Sequence, residues 1–186
     1  SAASDVYKRQ EYARRYRMKE TIHTDILKKT DTIVKADARH TFDTVATALG
    51  AEEHNPLVVV GTVEKMENVG EIVKRESLDI TPNLVIKEFT GQGLAEAYID
   101  SVTYGYVADF MEEFVRIDML LVSEFDYVVR EADETVQRGL LRLFEGLVRN
   151  NRQVVFTMTQ EPETYEALVL PALAELVSSG AFVVVK

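Results

Sequence analysis

Apolar and polar positions follow two rhythms along this chain. Short apolar, often β-branched runs recur at Leu57–Val60, Leu84–Phe89, Asp118–Val122, Gln153–Met158 and Ala181–Val185. Each run is too short for an ordinary helix and is bounded by turn or charged residues, which predicts five strands. Between them the apolar residues fall at helical spacing. In Thr41–Ala51, Phe42, Val45, Ala46 and Leu49 lie at i, i+3, i+4 and i+7, with Gly50 as the stop and a turn at His54-Asn-Pro56. Glu67–Glu76 turns Val69, Ile72 and Val73 inward. Gly91–Arg116 reads as mostly helix, broken at Gly105, with Leu94, Tyr98, Val102, Phe110 and Phe114 as core contacts. Asp133 caps a helix to about Asn150 that carries Val136, Leu140, Phe144, Leu147 and Val148 on one face. Pro162 opens a helix through about Val177, interrupted at Pro171, and Gly180 ends it.

Strands and helices that alternate in this way predict an α/β fold. Its five-stranded parallel sheet is sandwiched between helices and joined by right-handed crossovers. The central run, Asp118–Val122, stops abruptly at Ser123, Glu124 and Asp126. A buried parallel strand that ends in acidic residues opens at its carboxyl end onto a ligand crevice.

Composition narrows the function. The chain has 186 residues, enough for one domain with a sizeable core. Its net charge of −10 argues against a broad nucleic-acid surface, which needs clustered Lys and Arg. No apolar run approaches the roughly 20 residues that span a bilayer. Cysteine is absent, which removes disulfides and thiolate metal sites and fits a cytoplasmic location. His23, His40 and His54 are scattered and read as ordinary residues.

The organisation along the chain follows. Ser1–Gln10, SAASDVYKRQ, resembles translated sequencing-adapter sequence and is set aside as non-native. Residues 11–40 form a basic leader helix and linker, with Arg14, Arg15, Arg17 and Lys19 in Glu11–Lys19. Residues 41–186 form the α/β domain. Tyr98, Tyr104 and Tyr106, with Phe110 and Phe114, suit core packing better than a base-stacking surface. Glu112-Glu113 and Glu131-Ala-Asp-Glu134 read as solvated faces or helix-start charges.

From about Thr41 to Lys186 the chain resembles the ATPase domain of bacterial chromosomal replication initiators, the DnaA-type branch of the AAA+ family. Asn55-Pro-Leu-Val-Val-Val-Gly61 is similar to the family's first strand, and Val115–Val122 to its metal-carboxylate strand. Thr135–Thr157 resembles the helix, the polar turn at Asn150-Asn-Arg and the strand that follow. The resemblance implies a P-loop NTPase, three-layer architecture. It covers neither the family's helical lid nor its DNA-binding domain.

The family's phosphate loop ends Gly-Lys-Thr, because backbone N–H groups cradle phosphate, Lys neutralises charge and the hydroxyl binds Mg²⁺. The matching segment here is Gly61–Asn68. Only Gly61 is kept, with Glu67 at the Lys position, Asn68 at the Thr position and Lys65 two places early. The family's two strand-end Asp residues fall on Ser123 and Glu124, and its polar sensor position falls near Thr159. No Arg occurs between Gln153 and Lys186, where the family carries its subunit-bridging arginines.

Loops at the strand ends carry Glu64, Glu67, Glu124, Asp126, Glu161 and Glu163. A phosphate charge about 5 Å from a carboxylate meets roughly 3 kcal/mol of repulsion at an effective dielectric near 20. A helix N-terminus returns only about 0.3–1 kcal/mol. The expected function is therefore a catalytically inactive, DnaA-like AAA+ module. It needs no cofactor and binds a protein partner, without direct nucleic-acid or membrane contact, in DNA replication or its regulation. Besides a direct nucleic-acid binder through Arg14, Arg15 and Arg17, two alternatives stay open. One is an ATP- or ADP-binding switch with Mg²⁺ in which Lys65 replaces the lost Lys. The other is a metal-assisted enzyme that uses Glu124 and Asp126, with Glu124 as the base.

Overall fold

A computed structural model describes residues 55–66, 68–80, 82–159 and 170–185. The helices expected at Glu11–Lys19 and Thr41–Ala51, and the helix start at Pro162, lie outside these residues. Five parallel strands form one sheet: β1 (Leu57–Gly61), β2 (Ile86–Thr90), β3 (Met119–Ser123), β4 (Gln153–Met158) and β5 (Ala181–Val185). Their order across the sheet is β2-β3-β4-β1-β5.

That order dictates where the helices go. The connection from β1 travels across the sheet to β2 at the edge, whereas every later connection travels back the other way. Right-handed crossovers therefore send the first connection to one face and the rest to the opposite face. The packing agrees. Alternate strand residues point to opposite faces. Leu57, Val59, Met119, Leu121 and Val155 meet Met66, Val69 and Val73 from the first connection, helices α1 (Val63–Met66) and α2 (Val69–Ile80).

Val58, Val60, Leu120, Val122, Val154 and Phe156 form the larger core on the other face. It is covered by α3 (Gly91–Thr103), α4 (Val107–Glu112), α5 (Asp126–Glu131), α6 (Glu134–Arg149) and α7 (Pro171–Ser179). Phe125, Phe144 and Phe156 cluster at its centre, with ring centroids 4.2 Å apart for Phe125–Phe156 and 5.0 Å, edge to face, for Phe144–Phe156.

Several expected boundaries move for identifiable reasons. The long helix expected over Gly91–Arg116 is two helices, because the chain turns at Tyr104-Gly105-Tyr106 with Gly105 at φ +76°. Tyr98, Phe110 and Phe114 are core residues as expected, but Val102, Tyr104 and Tyr106 are exposed at this corner. Residues 84 and 85 stay outside β2, where the Val85 N–H donates to the Asp118 carboxylate at 2.9 Å. Asp118 in turn precedes β3, held also by Arg152 at 3.0 Å. Helix α2 runs to Ile80, past the expected end at Glu76. Pro171 opens α7 at its first turn, where a missing N–H costs nothing.

Asn55 explains why an Asn precedes the first strand. Its side chain donates to the Arg152 carbonyl at 2.6 Å and accepts from the Val154 N–H at 2.9 Å, so it extends the β1–β4 ladder by one step.

Candidate functional site

The connections after β1 and β4, neighbours in the sheet, leave on opposite faces. The carboxyl ends of these strands therefore splay apart, which is where open α/β sheets form their ligand crevice. A crevice of about 500 Å³ lies there, between the start of α1–α2 and the ends of β2, β3 and β4. Its polar lining comes from Glu64, Glu71, Glu88, Ser123, Glu124, Thr157 and Thr159.

The segment matched to a phosphate loop has a different shape here. After Gly61 the chain winds directly into α1. The Met66 N–H donates to the Thr62 carbonyl at 3.0 Å, and the Met66 side chain is buried against Leu57 and Val59. An amide that would face a phosphate is thus used inside a helical turn, and a core side chain anchors that turn. Lys65 lies in α1, and its side chain, like all of Glu67, lies outside the described residues. Asn68 leads into α2, with its carbonyl accepting from the Ile72 N–H at 3.0 Å.

Ser123 ends β3, and Glu124 follows in a left-handed conformation at φ +50°. That turn is fixed from both sides. The Glu124 and Phe125 N–H groups bind the Thr157 hydroxyl and carbonyl at 3.3 and 2.9 Å. Gly91, the first residue of α3, presses on the turn, so close that a Cβ there would lie 2.5 Å from the Glu124 carbonyl oxygen. The turn aims the Glu124 side chain at the crevice and carries the next carboxylate, Asp126, inward.

Asp126 is therefore not one of the crevice carboxylates. It is buried in the first turn of α5. Its Oδ2 accepts from the Thr159 hydroxyl at 3.1 Å and from Arg130 at 3.4 Å, while Oδ1 has no hydrogen-bond partner among the described residues. Thr159, the sensor-like position, lines the crevice with its hydroxyl committed to Asp126. The expected metal pair, Glu124 with Asp126, is split between crevice and interior. Among the described residues no three Asp, Glu or His side chains gather as metal ligands.

Two acidic residues were missed in the sequence. Glu71 and Glu88 line the crevice and hold Lys74 between them, at 2.8 and 2.9 Å. The hydrogen bonds that the Lys74 ammonium donates to Glu71 and then to Glu88 raise its pKa above the ordinary 10.5. The Glu71–Lys74 spacing of i, i+3 on a helix was a readable signal. Nothing in the sequence placed Glu88 beside them. Glu161 and Glu163 lie outside the described residues.

A family model described as the bacterial DnaA ATPase domain matches residues 30–174. The chain belongs to this family. The DnaA chromosomal replication initiator of Acinetobacter baumannii is 26% identical over 131 residues, which is 68% of this chain and 27% of that protein. The same initiator from Lacticaseibacillus casei is 29% identical over 114 residues, 59% of this chain and 24% of that protein. The chain thus spans about a quarter of the length of the curated relatives it matches.

Domain III of the Thermotoga maritima replication initiation protein DnaA shares the fold, with a TM-score of 0.70 at 20% identity over 80% of this chain and 61% of that one. The AMPPCP-bound DnaA from Aquifex aeolicus gives 0.68 at 17% identity, over 77% and 45%. These likenesses establish a DnaA-type AAA+ fold. At its described residues the crevice of this DnaA-family domain departs from the family's phosphate-loop pattern. The loop is a helical turn, the strand-end position is Ser123, and the described walls carry four carboxylates.

Proposed function

We propose that this domain is a DnaA-type module that no longer hydrolyses nucleotide and acts by binding a protein partner in the initiation of chromosome replication or its regulation. The observation that carries this reading is the folding of the phosphate-loop path into α1, with Met66 locked in the core beneath Glu64, Glu71, Glu88 and Glu124. Restoring a cradle would mean unwinding α1 and removing a buried side chain. A triphosphate would then still face the carboxylates at about 3 kcal/mol per close charge pair. On this reading the domain needs no cofactor. A cytoplasmic location goes with replication initiation, and among the described residues no helix is long and apolar enough to cross a membrane.

Titration of the full chain with ATP and ADP, with and without Mg²⁺, tests the reading. A micromolar site would raise stability by about 4 kcal/mol at millimolar nucleotide. The expected result is no heat and no shift in Tm. Micromolar binding would overturn the proposal and make the protein an ATP-controlled switch, and Lys65→Ala would then be the variant to compare.

A further inference from the structure

At the opposite end of the sheet from the crevice, α4, the turn after it and α6 leave a groove of about 390 Å³. Met111, Phe114, Val115, Leu143 and Leu147 give it an apolar floor and walls, and Gly146 opens its middle. Val115 is 59% exposed.

Two features bear on what the groove would take. The first is Gly146. It sits inside a 16-residue helix, where glycine is a poor helix former. The fold does not demand it, because a Cβ at Gly146 would meet nothing within 4 Å. Gly139 on the same helix is the contrast, since a Cβ there would lie 1.9 Å from the Tyr98 ring. Gly139 serves internal packing, whereas the space above Gly146 faces outward.

The second feature is charge. Arg116, Arg142 and Arg149 are exposed and make no hydrogen bond or ion pair with any described residue. Every other Lys or Arg with a described side chain has a partner. Arg142 lines the groove. Arg149 lies two turns along the same stripe of α6, and Arg116 follows Val115. Helical spacing puts Glu145 on the far side of the Arg142–Arg149 line from the groove. In a protein of net charge −10, one of the three uncommitted arginines of the described residues lines this apolar hollow, and the other two neighbour its lining residues along the chain.

We propose that this groove docks an acidic, amphipathic segment of a partner protein. Large apolar side chains of the segment insert over Gly146 between Phe114 and Leu143, and its carboxylates pair with Arg142, Arg149 and Arg116. Arginine is enriched in binding hot spots, and an amphipathic segment laid in an apolar groove is a recurring recognition mode. The floor favours a peptide over a nucleic-acid strand, because Phe114, the one aromatic side chain in its lining, is only 2% exposed and offers no ring face on which a base could stack. The inference deepens the interaction-module reading and rests on it.

The test is selection of displayed random peptides of about 12 residues on the full chain, followed by affinity measurement with a selected, labelled peptide. The expected winners combine Asp or Glu with spaced Leu, Phe or Trp. Arg142→Glu and Gly146→Leu should each weaken binding about tenfold or more, and Gly146→Leu should keep a Tm no lower than the unaltered chain. The proposal falls if the selected peptides lack acidic residues, or if neither variant changes their affinity. It also falls if the groove proves to hold labelled single-stranded oligo-dT, or a second copy of the chain whose sedimentation Gly146→Leu reverts to monomer. Nucleotide titration reports on the crevice alone, so failure of the groove and failure of the inactive-crevice reading are told apart.

Discussion

Gly139 and Gly146 occupy the same helix and should respond to alanine in opposite directions. At Gly139 the new methyl would collide with the Tyr98 ring, buried beneath α3 and α6, and overpacking of this kind costs about 1–3 kcal/mol. At Gly146 the methyl meets nothing, and the helix gains about 0.5–1 kcal/mol. Urea unfolding of the two variants should therefore bracket the unaltered chain. Neither outcome was legible in the sequence, because both glycines look alike on a helical wheel. Asp126 was misread for a similar reason. Spacing put it near Glu124 at a strand end, but its direction depends on the left-handed turn at Glu124, which only the neighbouring Gly91 and Thr157 enforce. Ser123 does fall at the end of β3, where the apolar run of the sequence stops.

Among the elements, the strands were the most readable, since runs such as Leu57–Val60 and Gln153–Met158 permit little else. Helix ends were read where side chains cap them. Asp133 accepts from the Val136 N–H at 2.9 Å, and Asp133→Ala should cost about 1 kcal/mol, seen as a lower urea midpoint at unchanged slope, while Asp133→Ser should retain most of it. The break between α3 and α4 was foreseen at Gly105, but not the exposure of Val102 and Tyr104 that goes with it. Lys74 joins α2 to β2 through Glu71 and Glu88. Its pKa is raised in the folded state, so its contribution is complete below about pH 10.5 and is lost as pH rises through the folded value. Lys74→Met should therefore lower Tm at about pH 8, and the gap between variant and unaltered chain should close at strongly alkaline pH.

For the whole molecule, alternation of strands and helices led to a parallel sheet but could not give its order, because several orders satisfy the same alternation. The order β2-β3-β4-β1-β5 has a consequence in time. Leu57 pairs with Val155 on one side and Ala181 on the other, whereas β2 and β3 pair across a much shorter stretch of chain. Contacts this distant in sequence must close long loops before they return any stabilisation, which slows folding. During synthesis β2 and β3, with α3 and α4 between them, emerge complete while β1 still lacks both neighbours. The Leu57–Val60 segment, wholly apolar and buried in the finished fold, is thus made first of the five strands and waits longest for its neighbours. In that interval it is the segment a chaperone would need to shield.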